Sequence, residues 1–169
     1  MNYYAIDTNV LVGANDNSPQ LHSDDIVKCK EFILSVYEND IIVLDDKFLI
    51  IDEYFKNVNR SGQPGLGDRF AKYLWENQFN VKVCDLVSIT PYNNNTEFYE
   101  LNLPENLRSF DLSDRKFLAV CKASQKNTQI CNASDSDWWD YSVKIADFGI
   151  SIYFICPIQL QNWKVNKSE

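Results

Sequence analysis

The sequence predicts an α/β domain, a three-layer α/β/α sandwich around a central, mostly parallel sheet. Short apolar runs at residues 3–6, 41–44 and 149–156, and a short strand at 128–132, alternate with stretches of helical periodicity. Several of these runs are continuously apolar, as in strands covered on both faces. Glycine and proline are sparse, five of each in 169 residues, so regular structure should dominate.

The elements follow in order. Residues 3–6 read as the first strand, which ends on Asp7, and 13–23 read as a polar loop. Ser23 is placed to cap a helix, with Asp24 and Asp25 in its first turn against the helix dipole. Ile26, Cys29, Phe32, Ile33, Val36 and Tyr37 give that helix one apolar face. Ile41-Ile42-Val43-Leu44 is a buried strand, and Asp45 and Asp46 are expected to cap a helix over roughly 46–59. Ser61 to Gly67 breaks that helix, and another runs from about 68 to 79. Residues 81–89 alternate in part and read as a strand whose place in the sheet is left open. Residues 91–112 are polar and irregular, with Asn93-Asn94-Asn95 as a loop. Ser113 is expected to cap a helix from Asp114 to about Ser124. Residues 128–132 are a strand, 138–146 a helix, and 149–156 the last strand, stopped by Pro157.

The chain length suits one domain, placed at 1–157, with a polar tail at 158–169. No apolar run approaches the roughly 18 to 20 residues of a membrane span, so no membrane partner is expected. The N-terminus lacks the charge and apolar pattern of a signal peptide. Five scattered cysteines without CxxC spacing read as buried thiols in a reducing cytoplasm. The single histidine, His22, makes zinc sites and Ser-His or Cys-His catalysis improbable. A net charge of −8 argues against a generic nucleic-acid coating protein. It agrees either with an acidic surface or with acids that serve as metal ligands.

Four acids stand at element edges. Asp7 ends the first strand, where open α/β sheets place their ligand crevice. Glu53 lies in an otherwise apolar helix, where a lone carboxylate is seldom buried without purpose; its neighbour Asp52 is the alternative inward acid. Asp114 opens a helix, with Asp111 three residues earlier as an extra candidate. Asp135 follows a strand, with Asp137 as its alternative. Together they suit hard cations such as Mg²⁺ or Mn²⁺, which take oxygen ligands. Each acid also has an ordinary reading: turn chemistry for Asp7, a solvent-facing position for Glu53, helix-start chemistry for Asp114, and loop or first-turn acids for Asp135 and Asp137.

Four segments carry a family likeness. They are Ala5-Ile6-Asp7-Thr8-Asn9-Val10-Leu11, then Glu53, then Asp111-Leu112-Ser113-Asp114-Arg115-Lys116-Phe117-Leu118-Ala119, then Ala133-Ser134-Asp135-Ser136-Asp137-Trp138. In order and approximate spacing, the chain resembles the PIN-domain nucleases from about residue 3 to Pro157. The resemblance implies a Mg²⁺- or Mn²⁺-dependent endoribonuclease that hydrolyses single-stranded RNA. Asp7, Glu53, Asp114 and Asp135 would be its catalytic and metal-binding acids, and Asp137 an auxiliary or substitute ligand. Thr8, Asn9 and Asp111 would stand behind them, Asn9 orienting Asp7. Lys56, Arg60, Arg115 and Lys116 are the candidates for holding phosphate, with a solvated helix face as their other reading. In the toxin branch of that family, a small antitoxin protein is the partner, and a homodimer follows by analogy. The segment from about 60 to 110 is longer than in compact toxins of that kind, and Trp138-Trp139 stands where one aromatic is usual.

Two rivals come from other classes. One is a catalytically silent PIN-like binding module in a larger assembly. The other is a phosphatase resembling the haloacid-dehalogenase group, which needs a second Asp two residues after the first; Asn9 stands there instead.

Overall fold

Five parallel strands form the sheet of this protein, seen here in a computed structural model described for residues 1–157. In chain order the strands are β1 (Tyr3–Ile6), β2 (Ile41–Asp45), β3 (Cys84–Val87), β4 (Pro91–Tyr92), β5 (Glu97–Phe98), β6 (Thr128–Asn132) and β7 (Ser151–Phe154). The helices are α1 (Thr8–Ala14), α2 (Ser23–Asn39), α3 (Leu49–Asn57), α4 (Leu66–Asn77), α5 (Arg115–Ala123), α6 (Ser136–Asp140) and α7 (Ser142–Asp147). The sheet runs β3-β2-β1-β6-β7, flanked by helices as an α/β/α sandwich. The polar tail expected at 158–169 lies outside the described residues.

The strand order places the site. From β1 the chain winds outward through β2 to β3, then crosses back to lay β6 and β7 on the other side. The winding therefore reverses between β1 and β6, the position where such sheets open a crevice beyond their strand ends. Asp7 directly follows β1, and its amide donates to Cys131 O at 2.9 Å on β6. Burial explains the strands beside the crevice. All five residues of β2 are buried, as its unbroken apolar run requires, whereas β7 alternates exposed and half-buried residues as an edge strand does.

Several elements depart from the sequence reading. Residues 8–14, left without a helix in sequence, form α1. Its Val10, Leu11 and Ala14 are buried, on a stripe too short to show periodicity. It lies so close to α4 that a Cβ on Gly67 would fall 2.1 Å from the Leu11 carbonyl oxygen. Ser23 is the first residue of α2 and caps nothing; His22 precedes it without a side-chain bond. Ser113 does not cap α5 either, because its amide and hydroxyl both turn to Asp111 Oδ1 at 2.6 Å. The helix expected over 138–146 is divided at Tyr141 into α6 and α7. The irregular middle segment contains an antiparallel hairpin, β4–β5, turned by Asn93, Asn94 and Asn95 at φ of 50°, 58° and 64°. β3 takes the sheet edge beside β2. The five cysteines are buried and free, and among the described residues no helix is long and apolar enough to cross a membrane.

The turn between β2 and α3 orients one wall of the crevice. Asp45 is buried, and its carboxylate accepts the amides of Lys47 at 3.1 Å, Leu49 at 2.8 Å and Ile50 at 2.9 Å. Phe48 inside this turn has φ 63°, a strained value for a side chain this large. Asp46 caps nothing; it accepts the Ile89 amide and the Ser88 hydroxyl instead. Replacing Asp45 with Ala removes two acceptor oxygens with their three hydrogen bonds and releases the strained turn. We expect Asp45→Ala to cost about 2 kcal/mol, read as a lower urea midpoint with an unchanged m-value.

Candidate metal centre

Asp7 is 5% exposed, and both its oxygens are held. Oδ1 accepts the Asn9 amide at 2.9 Å, so the carboxylate caps α1. Oδ2 accepts the indole N–H of Trp138 at 2.5 Å. Sequence offers turn chemistry or a ligand for Asp7; the structure makes it the cap of α1, with its carboxylate also facing two other acids. Trp138 is fully buried, and a buried indole N–H needs an acceptor. Tyr54 steadies the strand end just before, donating its hydroxyl to Ile6 O at 2.5 Å.

Asp114 comes from across the crevice. α5 is buried along Arg115 to Cys121, and this residue sits at its N-terminus, the positive end of the helix dipole. Asp114 is 8% exposed and caps no amide of α5. Asp135 arrives from the loop after β6, where it caps α6 by accepting the Asp137 amide at 2.8 Å. Its own backbone is clamped by Asn132, which accepts the Asp135 amide at 3.1 Å and donates to the Asp135 carbonyl at 2.8 Å. Asn132 in turn accepts from Asn9 Nδ2 at 2.7 Å, and Asn9 Oδ1 accepts the Ala133 amide at 2.8 Å. The Asn9 side chain thus joins the two strand ends, while its backbone amide is what touches Asp7.

Carboxylate oxygens of Asp7, Asp114 and Asp135 all lie within 4.8 Å of one another. A cleft of about 280 Å³, lined by Asp7, Asn9, Gln20, Ser134, Asp135 and Ser136, opens beside them. Glu53 lies outside this triad. Its Oε1 accepts the Thr8 hydroxyl and its Oε2 pairs with the Lys116 ammonium. Asp52 is exposed, so Glu53 is the inward acid of α3. Asp137 is exposed and also outside the triad. Asp111 is exposed and occupied by Ser113.

The basic candidates are placed unevenly. Lys116 is buried against Glu53, and its ammonium also donates to the Ser113 carbonyl. Arg115 is 4% exposed and turned away, bonded to Glu97 Oε1 at 2.5 Å and to Arg108 O at 2.6 Å. Lys56 and Arg60 are exposed, with Arg60 over the Phe55 ring. The ring N–H of Trp138 and the Asn132 clamp were missed in sequence. The tryptophan beside Asp137 was their one visible signal.

Burial pushes the Asp7 carboxyl up to about 7; Asp135 and Glu53 add to the rise, and the bonds from Asn9 and Trp138 oppose it. Asp114 is pushed up to about 8, first by burial, then by Asp7 and Asp135, with Lys116 opposing. Asp135 is raised, mainly by burial. Three acids that resist ionising together become favourable anions once a divalent cation lies among them. The three carboxylates could together hold a metal ion, and carboxylate oxygens are the donors that hard divalent cations take.

No family model, curated protein or solved structure matches this chain.

Two outcomes follow from the site's electrostatics. With carboxyls raised from 3.8 to about 7 and about 8, the metal-free fold holds protons that the unfolded chain releases. Their contribution to stability is complete below the unfolded value and is lost as pH rises through about 7 and 8. Without metal, Asp114→Asn should raise the melting temperature at pH 8 by at least about 3 °C and change it little at pH 4. Trp138→Phe keeps most of the buried ring but removes the N–H from Asp7. It should weaken Mn²⁺ binding about 10–100-fold in calorimetry.

Proposed function

We propose that this chain is a Mg²⁺- or Mn²⁺-dependent endoribonuclease acting on single-stranded RNA. The supporting observation is the triad: three carboxylates from three separate elements converge at the switch point of a parallel sheet. The choice of RNA rests on the resemblance to PIN domains. The antitoxin partner and the homodimer rest on the toxin branch of that resemblance.

Asp7, Asp114 and Asp135 would hold the cation, which supplies an activated water and offsets charge on the phosphodiester. The chain's own part is positioning. Trp138 and the Asn9 amide fix the Asp7 carboxylate, and the Asn9–Asn132 bridge fixes the loop that carries Asp135. Preset ligands of this kind need no rearrangement during the reaction. The cleft between Asn9, Gln20 and Ser134 is where the strand would lie. The products would be 5′-phosphate and 3′-hydroxyl ends.

The test is cleavage of a labelled single-stranded RNA with Mg²⁺ or Mn²⁺, alongside EDTA. Asp7→Asn and Asp114→Asn should each reduce the rate by more than about 100-fold, beyond the usual loss from an outer partner. Metal-independent cutting, or 2′,3′-cyclic ends, would overturn the mechanism. A folded, metal-bound protein that cuts no RNA would favour the silent binding module.

A further inference from the structure

Glu53 has both oxygens engaged by the protein itself. Thr8 donates to Oε1, and the Lys116 ammonium lies against Oε2. Lys116 is 6% exposed, far below what is usual for lysine. Its ammonium has two oxygen partners, Glu53 and the Ser113 carbonyl, and lies 4.9 Å from the Phe117 ring centroid. It stands on the first turn of α5, two residues from Asp114. A cation so enclosed is a fixed part of the centre.

Charge counting gives this a consequence. Four carboxylates around one crevice would attract two divalent ions. Here three face one another, and the fourth is matched by the ammonium. For a second ion to use Glu53, it would have to displace Lys116 and leave a buried ammonium without its counter-charge, a large penalty. We propose that Lys116 takes the place of a second metal ion: the centre binds one Mg²⁺ or Mn²⁺ on Asp7, Asp114 and Asp135, while Glu53 serves Lys116. The proposal rests on the reading that the triad holds a cation. It makes Lys116 a positioning residue whose charge is part of the site at every metal concentration.

The experiment counts Mn²⁺ per full-length chain by titration calorimetry and by the spin-resonance signal of free Mn²⁺. The wild type should bind one ion. Lys116→Met should bind two, the second lost again when Glu53→Gln is added. Lys116→Arg should keep one, because it keeps the charge; the ion gained in Lys116→Met is what a purely structural role would not predict. If Lys116→Met does not fold alone, the double variant Glu53→Gln/Lys116→Met, which removes both charges of the pair, decides: one ion, with affinity within about threefold of wild type, supports the proposal. A loss beyond about tenfold in that variant overturns it. Two ions on the wild type, or one on a folded Lys116→Met, also overturn it while leaving the metal centre standing. No Mn²⁺ on the wild type overturns the metal centre and the nuclease reading together.

Discussion

The hydrogen bond from the Trp138 indole to Asp7 ties the two halves of the molecule across the reversal in strand order. Asp7 belongs to the segment that winds outward through β2 and β3. Trp138 belongs to the segment that returns through β6 and β7. The carboxylate is buried, so it must be hydrogen-bonded; the indole is buried, so it must have an acceptor. Each satisfies the other. Asp7 also starts α1, whose Thr8 reaches Glu53, whose other oxygen holds Lys116 on α5. One buried carboxyl is therefore the origin of a chain of contacts that aligns β1, α3, α5 and α6.

This arrangement opposes stability in the metal-free state. Three carboxyls share a small, poorly solvated space, and burial raises all three. A domain selected for stability alone would replace one of them with an amide or an apolar residue. Three acids brought together beside a buried apolar core are the kind of local conflict that functional sites commonly show. The strained Phe48 turn, held by Asp45, is a second departure from relaxed geometry on the same edge of the sheet.

Much of the fold was legible because burial on both faces leaves an unmistakable run of apolar residues. β1 and β2 were found this way, and α2 by its long single stripe. Short or edge elements were not. α1 is too brief to show a helical period, and the β4–β5 hairpin pairs only two residues a side. Helix caps were read too readily from serine: Ser23 falls one residue inside α2, and the Ser113 hydroxyl turns to Asp111.

The sequence by itself determined the α/β class and the positions of the acids relative to their elements. An acid after a buried strand must emerge at the strand's C-terminal edge, whatever lies beside it. Tertiary structure alone decided which acids meet. Asp7, Asp114 and Asp135 converge because β1 and β6 are neighbours and α5 begins beside them, a fact of strand order that no local pattern encodes. It likewise gave Glu53 to Lys116, turned Arg115 toward Glu97 and left Asp137 outside. A charge's partner is set by distance in space, and spacing along a chain does not report that distance.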